Sequence, residues 1–269
     1  MPSVVRTALA AALGLALLFG LIGCTDNGQS SAASSTGLSE LPQGDDPVDL
    51  DPADFTTEID NPYFPLVPGT RLTFREIDEE GKKLEVVVIV TRDTEKISNG
   101  ITARVVRDTV TEDGEIIEDT FDWYAQDSEG NVWYMGENTA EFENGKIKTK
   151  KGSFEAGVDG ALPGIIMPAD PQPGLAFRQE YYKGEAEDNG EVLSLEEMAD
   201  VPLGHFDNAL LTKDTITIEP DVLEYKLYAK GVGLVLALGI SGGGGREELV
   251  KKDTVAPTTG TGPLGTPNP

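Results

Sequence analysis

The chain has 269 residues and a formal charge of −26, from 47 Asp and Glu against 21 Lys and Arg. That balance repels phosphate, so nucleic acid is disfavoured as a partner, as is electrostatic docking on anionic lipid. With one cysteine and one histidine the chain has neither an intramolecular disulfide nor a Cys/His metal cage, and any core must hold by burial alone.

Arg6 is followed by an apolar run from Ala8 to Leu21 that ends in Leu21-Ile22-Gly23-Cys24. The run is too short for a comfortable spanning helix, which needs about 20 apolar residues, and its position reads as an export signal. Leu-Ile-Gly-Cys resembles the bacterial lipobox. The resemblance implies that residues 1–23 are a lipoprotein signal peptide, cut before Cys24, and that Cys24 carries the lipid (palmitate-type acyl chains). Loss of Arg6 with the signal takes the formal charge from −26 to −27. Thr25 stands where an aspartate is associated with inner-membrane retention, so the cell membrane and the outer membrane both stay open. The expected location is an exported protein, lipid-anchored and facing the periplasm or the exterior.

Residues 24–54 read as a flexible tether of Ser, Thr, Gly, Asn and Asp, too poor in large apolar side chains to offset the entropy of ordering. A folded domain is expected over 55–252. Asn61 to Gly69 contains three prolines, which exclude a helix and favour an extended path with a turn at Pro68-Gly69. Tyr63, Phe64 and Leu66 are placed to plug one end of a core. Leu72 and Phe74 then alternate with Arg71, Thr73 and Arg75 as a half-buried strand. Tyr-Phe-Pro-Leu-x-Pro-Gly with the following Phe74 resembles the opening of many uncharacterised bacterial envelope proteins. Over these 15 or so residues it implies antiparallel sheets, often curved into partial barrels.

Turn signals then recur: Glu79-Glu80-Gly81, Asn99-Gly100, Asp113-Gly114, Asp127 to Asn131, and Asn144-Gly145. Asn-Gly and Asp-Gly supply the positive φ that tight hairpins need. Strands are expected at 84–91, 101–111, 115–126 and 132–135, and later at 175–182, 191–195, 209–218, 222–229, 233–240 and 246–251. Gly and Pro interrupt 152–174, which is either a flap over a barrel mouth or a loop folded under to close the core. Leu195 to Ala199 is the best helical candidate, and 253–269 reads as a disordered tail. The fold class is therefore all-β: a single antiparallel domain, a meander forming a curved sheet or partial barrel, with little helix.

Chemistry is sparse. No Gly-x-Ser-x-Gly, phosphate loop or dinucleotide fingerprint occurs, and His205 has no local serine partner. Carboxylates are the abundant reactive groups. Asp127, Glu129 and Asn131 place alternating oxygens around a glycine, and Glu185, Glu187 and Asp188 cluster after a strand. Both sets are candidate calcium ligands without an EF-hand's spacing, and no other cofactor is implied. Asp119, on a strand face with Phe121 and Trp123, is expected either to hydrogen-bond or to lie at a cavity wall. With Trp123, Trp133, Phe177 and Tyr181 it would line a site for an apolar or amphiphilic ligand. The leading expectation is a non-catalytic, membrane-anchored envelope protein that binds such a ligand or a partner protein. The alternatives are an acidic-site enzyme resembling a glycan hydrolase and a calcium-binding envelope protein.

Overall fold

The computed structural model describes residues 41–267; the expected signal segment, Cys24 and 25–40 lie outside them. A 3-10 turn at Pro52–Asp54 precedes β1 (Phe55–Thr56), β2 (Thr70–Ile77), β3 (Lys83–Lys96), β4 (Thr102–Glu112), β5 (Glu115–Asp127) and β6 (Val132–Glu143). Next come β7 (Lys146–Thr149), β8 (Phe154–Glu155), β9 (Leu162–Met167), β10 (Ala176–Arg178) and β11 (Glu180–Tyr181). The remainder are β12 (Asp188–Val201), β13 (Gly204–Ile216), β14 (Glu219–Ala229), β15 (Gly233–Ser241) and β16 (Arg246–Thr254). The expected all-β class stands: one antiparallel sheet forms a nearly closed barrel. Among the described residues, no helix is long and apolar enough to cross a membrane.

The sheet runs β10-β12-β13-β14-β15-β16-β2-β3-β4-β5-β6-β9-β11. Its two ends are neighbours in the chain. Ala176–Arg178 pairs with β12, and two residues later Glu180–Tyr181 pairs with β9. The run 176–181 is therefore the seam at which the sheet meets itself, and closure removes the open edge of a long sheet. Gly164 lets the seam pass, because a Cβ there would overlap the backbone at Arg178 and Gln179.

Period-two alternation gives each strand two faces. On one of them Val90 pairs with Val106, Val106 with Asp122, and Leu210 with Tyr228. Val90, Val106, Tyr124, Tyr134, Leu210 and Tyr228 meet in one buried cluster, so the faces of β3–β6 and of β13–β14 that carry them look at each other across the barrel. At the bulge beside Trp123 and Tyr124 the partner strand carries Gly136. Gly136 has φ 131°, and a Cβ on it would overlap the Phe154 carbonyl, so glycine is required there.

Four local expectations are corrected. Leu195 to Ala199 lies inside β12; pairing with β13 overrides the helical preference of Leu, Glu, Met and Ala. The interrupted stretch 152–174 contributes β8 and β9, with Ile165, Ile166 and Met167 buried, so it completes the wall. Residues 255–267 form no helix or strand but are docked. Gly260, Pro263 and Thr266 present carbonyls to Arg107, and the Gly265 N–H donates to Asp119. At the other end, the tether expectation stops short of 54. Leu41, Val48 and Leu50 pack against the cluster of Trp133 and Phe177, and the Arg178 N–H donates to the Pro42 carbonyl.

Candidate functional site

The barrel interior is acidic where the seam closes it. Asp122 on β5 sits directly opposite Glu137 on β6. Like charges so placed repel, and the geometry shows how the pair is tolerated. The Tyr134 hydroxyl lies 2.8 Å from Asp122 Oδ1 and 2.8 Å from Glu137 Oε2. One hydroxyl carries one proton, so when it donates to one carboxylate the other carboxyl must be protonated and donate to the phenol oxygen. Thr120 and Thr139 continue the ladder with a 2.6 Å hydroxyl pair.

Glu180 enters from the seam with no exposed surface, and neither of its carboxyl oxygens has a hydrogen-bond partner. Asp188 on β12 leaves one oxygen unpaired, as do Asp108 and Glu137. The cation of the group is Lys226, whose Nζ lies 2.9 Å from Asp214 and 3.2 Å from Glu224. Asp214 also accepts from Thr212 at 2.8 Å and from Gln179 at 3.2 Å. A cavity bordered by Asp188, Asp214, Glu224 and Lys226 has about 10 Å³ available to the centre of a water molecule, enough for about one water.

Burial without compensating charge raises carboxyl pKa values, and neighbouring carboxylates raise them further. Burial pushes Asp122 and Asp188 up to about 7, against the Tyr134 hydrogen bond in the first case and the Lys226 charge in the second. Burial, then Asp122 and Glu180, push Glu137 well above the carboxylate range. Burial, then Asp188 and Asp122, do the same to Glu180, and burial with Asp122 and Glu247 to Asp108. Burial opposes the charge on Lys226, but Asp214 and Glu224 outweigh it and hold the lysine cationic. Chemically, this interior can store and release protons. Among the described residues, no three Asp, Glu, His or Cys side chains converge as ligands for one metal ion.

The residues expected from sequence are distributed as follows. Asp127 is wholly engaged by its own turn: it accepts from the Glu129 and Asn131 N–H groups, Asn131 Nδ2 and Trp133 Nε1. Glu187 caps the Gly184 N–H on a surface turn with Glu185, whereas Asp188 faces the interior. Trp123, Trp133 and Phe177 do come together, packed against one another's cluster with Phe55 at 6.2 Å from Trp133. Asp119 is fully buried on the other face from Asp122. There it pairs with Arg107 at 2.5 Å and is covered by the C-terminal segment. Tyr181 lies in the seam, half-buried. Cys24 lies outside the described residues.

Of the interior group the sequence marks only Asp188 as a candidate ligand, although Glu180 and Asp122 lie in expected strands. Parity separates Asp119 from Asp122, but only closure tells which face is enclosed. Asp122, Glu137, Glu180, Asp214 and Lys226 come from five different strands, and no local spacing links them.

No family model matches the chain, and no curated protein matches it. Among solved structures it is similar to a "putative lipoprotein" from Parabacteroides distasonis, at 14% identity over 71% of this chain and 98% of that one, with a TM-score of 0.38. A likeness at that level carries no inference about fold or function.

Proposed function

We propose that this chain is a lipid-anchored bacterial envelope protein whose barrel head is non-catalytic and acts on a partner protein through its outer surface. The observation that carries the reading is Leu21-Ile22-Gly23-Cys24 at the end of a short apolar export signal. Acyl chains on Cys24 would supply the membrane affinity, and residues between Cys24 and the docked Leu41 would let the head stand off the bilayer. A partner-binding role is supported over an enclosed apolar ligand because tyrosines and carboxyls fill the interior. A glycan hydrolase needs two carboxyls across a cleft wide enough for a sugar, whereas Glu180 is sealed in the wall.

The test is Cys24→Ser in a bacterial host fed labelled palmitate. Wild type is expected to incorporate label and pellet with membranes, and the variant to lose both properties. A variant that still takes up label and pellets would remove the anchor from the account. Native mass spectrometry of the gently released head addresses the other half. The bare polypeptide mass is expected, and a stoichiometric co-purifying lipid would favour the apolar-ligand reading instead.

A further inference from the structure

The seam is the thinnest part of the wall. Its strands are 3 and 2 residues long, against 14, 11 and 13 in β3, β4 and β5. Besides those short ladders it is held by the Gln179 N–H donating to the Asp188 carbonyl at 2.8 Å and the Arg178 N–H donating to the Pro42 carbonyl at 2.7 Å. Glu180 sits in this run with both carboxyl oxygens buried and unpartnered. An ionised carboxylate cannot remain so without several kcal/mol of lost hydration.

The surroundings offer it no cation at hydrogen-bond distance. Asp122 faces it from β5, Glu137 and Tyr134 from β6, and Asp188 from β12. Lys226 acts on it from β14, but Asp214 of β13 and Glu224 hold that ammonium at closer quarters. Its hydrogen-bonded neighbour β9 carries no titratable side chain. Arg178, on the same run, donates to the carbonyls of Pro163, Gly44 and Asp46.

We propose that the run Ala176–Tyr181 is a pH-operated gate in the barrel wall, closed while Glu180 holds a proton and parted when that proton is lost. The carboxyl gives its proton to water or hydroxide, and the carboxylate left behind needs hydration that the closed wall withholds. Separation from β9 admits water to it and exposes the polar interior. The proton is bound in the closed state, so low pH closes the gate and rising pH opens it, through a range set by burial and by ionisation of Asp188 and Asp122. Residues 41–46 clamp the outer side of the same run, which places the gate beside the chain segment leading to Cys24.

Hydrogen exchange on the full-length protein in detergent, corrected for intrinsic exchange at each pH from 6 to 9, tests this directly. Protection of a peptide covering 174–190 is expected to fall by up to about tenfold per pH unit while Glu180 is protonated only in the closed wall, one proton being released per opening, and to level off once Glu180 ionises in the closed wall as well. A peptide covering 102–127 should stay better protected than 174–190 at every pH, because it opens only with the whole fold. In Glu180→Gln the slope should drop by the one proton that Glu180 releases; in Asp188→Asn, the levelling-off should come at lower pH, because a neighbour that raises the Glu180 pKa has lost its charge. Flat protection of 174–190 in wild type, an unchanged slope in Glu180→Gln, or an unmoved transition in Asp188→Asn would each overturn the gate. Should Glu180→Gln fail to fold, the wild-type and Asp188→Asn profiles decide. Neither profile depends on lipidation, so failure here leaves the anchoring proposal standing.

Discussion

At the scale of single residues, Asp127 and Gly136 hold the most aromatic hairpin in register. The four hydrogen bonds that Asp127 accepts bind the turn and the Trp133 indole together. Asp127→Ala would strand the indole N–H and two backbone donors, and is expected to cost about 2–4 kcal/mol in urea denaturation followed by tryptophan fluorescence. A loss under about 1 kcal/mol would show that water replaces the carboxylate. Because these oxygens are occupied, micromolar calcium should leave the melting temperature where matched sodium leaves it. A calcium-specific rise would restore the loop as a metal site. Gly136→Ala meets both a positive φ and the Phe154 carbonyl; about 3 kcal/mol or more is expected, read in the same denaturation experiment.

At the scale of elements, the C-terminal segment behaves as a strap over the outer face of β4 and β5. Its anchor is the Arg107–Asp119 pair, at 1% and 0% side-chain exposure. The guanidinium also donates to the carbonyls of Gly260, Pro263 and Thr266 and lies 5.4 Å from the centre of the Phe121 ring. Removing one partner of a buried pair leaves the other uncompensated, which costs about 3–5 kcal/mol, whereas removing both costs much less. Arg107→Met should therefore destabilise strongly, and Arg107→Met with Asp119→Leu should recover much of the loss in a double-mutant cycle. Additive losses would mean that the two groups act independently. Proline, glycine and threonine composition concealed this docking. It depends on backbone carbonyls meeting an arginine some 150 positions earlier in the chain, and composition does not encode such a contact.

For the whole molecule, the enclosed carboxyls reverse the usual dependence of stability on pH. Asp122 and Asp188 are raised to about 7, and Asp108, Glu137 and Glu180 well above their ordinary values, mainly by burial. Below the unfolded carboxyl pKa of about 4 both states hold these protons. As pH rises above it the unfolded chain releases them first, so stability falls until the folded groups also ionise. The melting temperature measured by calorimetry is therefore expected to fall between pH 5 and pH 8. A flat or rising profile would mean that the interior carboxylates are hydrated or paired. Asp253 is held low by hydrogen bonds from Arg71 and Lys251, and Glu248 by its bond from Arg75. Their contribution is lost only as pH falls through the acid range, outside that window.

Local chemistry determined most of the strands. Val and Ile alternating with charged residues, punctuated by Asn-Gly and Asp-Gly, can do little but form an antiparallel meander, and β2 to β6 and β13 to β16 lie close to where those signals place them. The proposed export signal and its terminal cysteine rest on the same short-range logic, because both are read as linear patterns. Tertiary structure decided which face became the inside. Parity gives each strand two faces, but curvature and closure choose between them. The choice put Asp122 and Glu137 in the interior and left Asp119 under the strap. It also decided that Ala176–Tyr181 would change partners midway and so carry Glu180 into the wall opposite Asp122. That placement depends on β9 and β12 arriving on either side of the run, a long-range event that no neighbouring residue could specify.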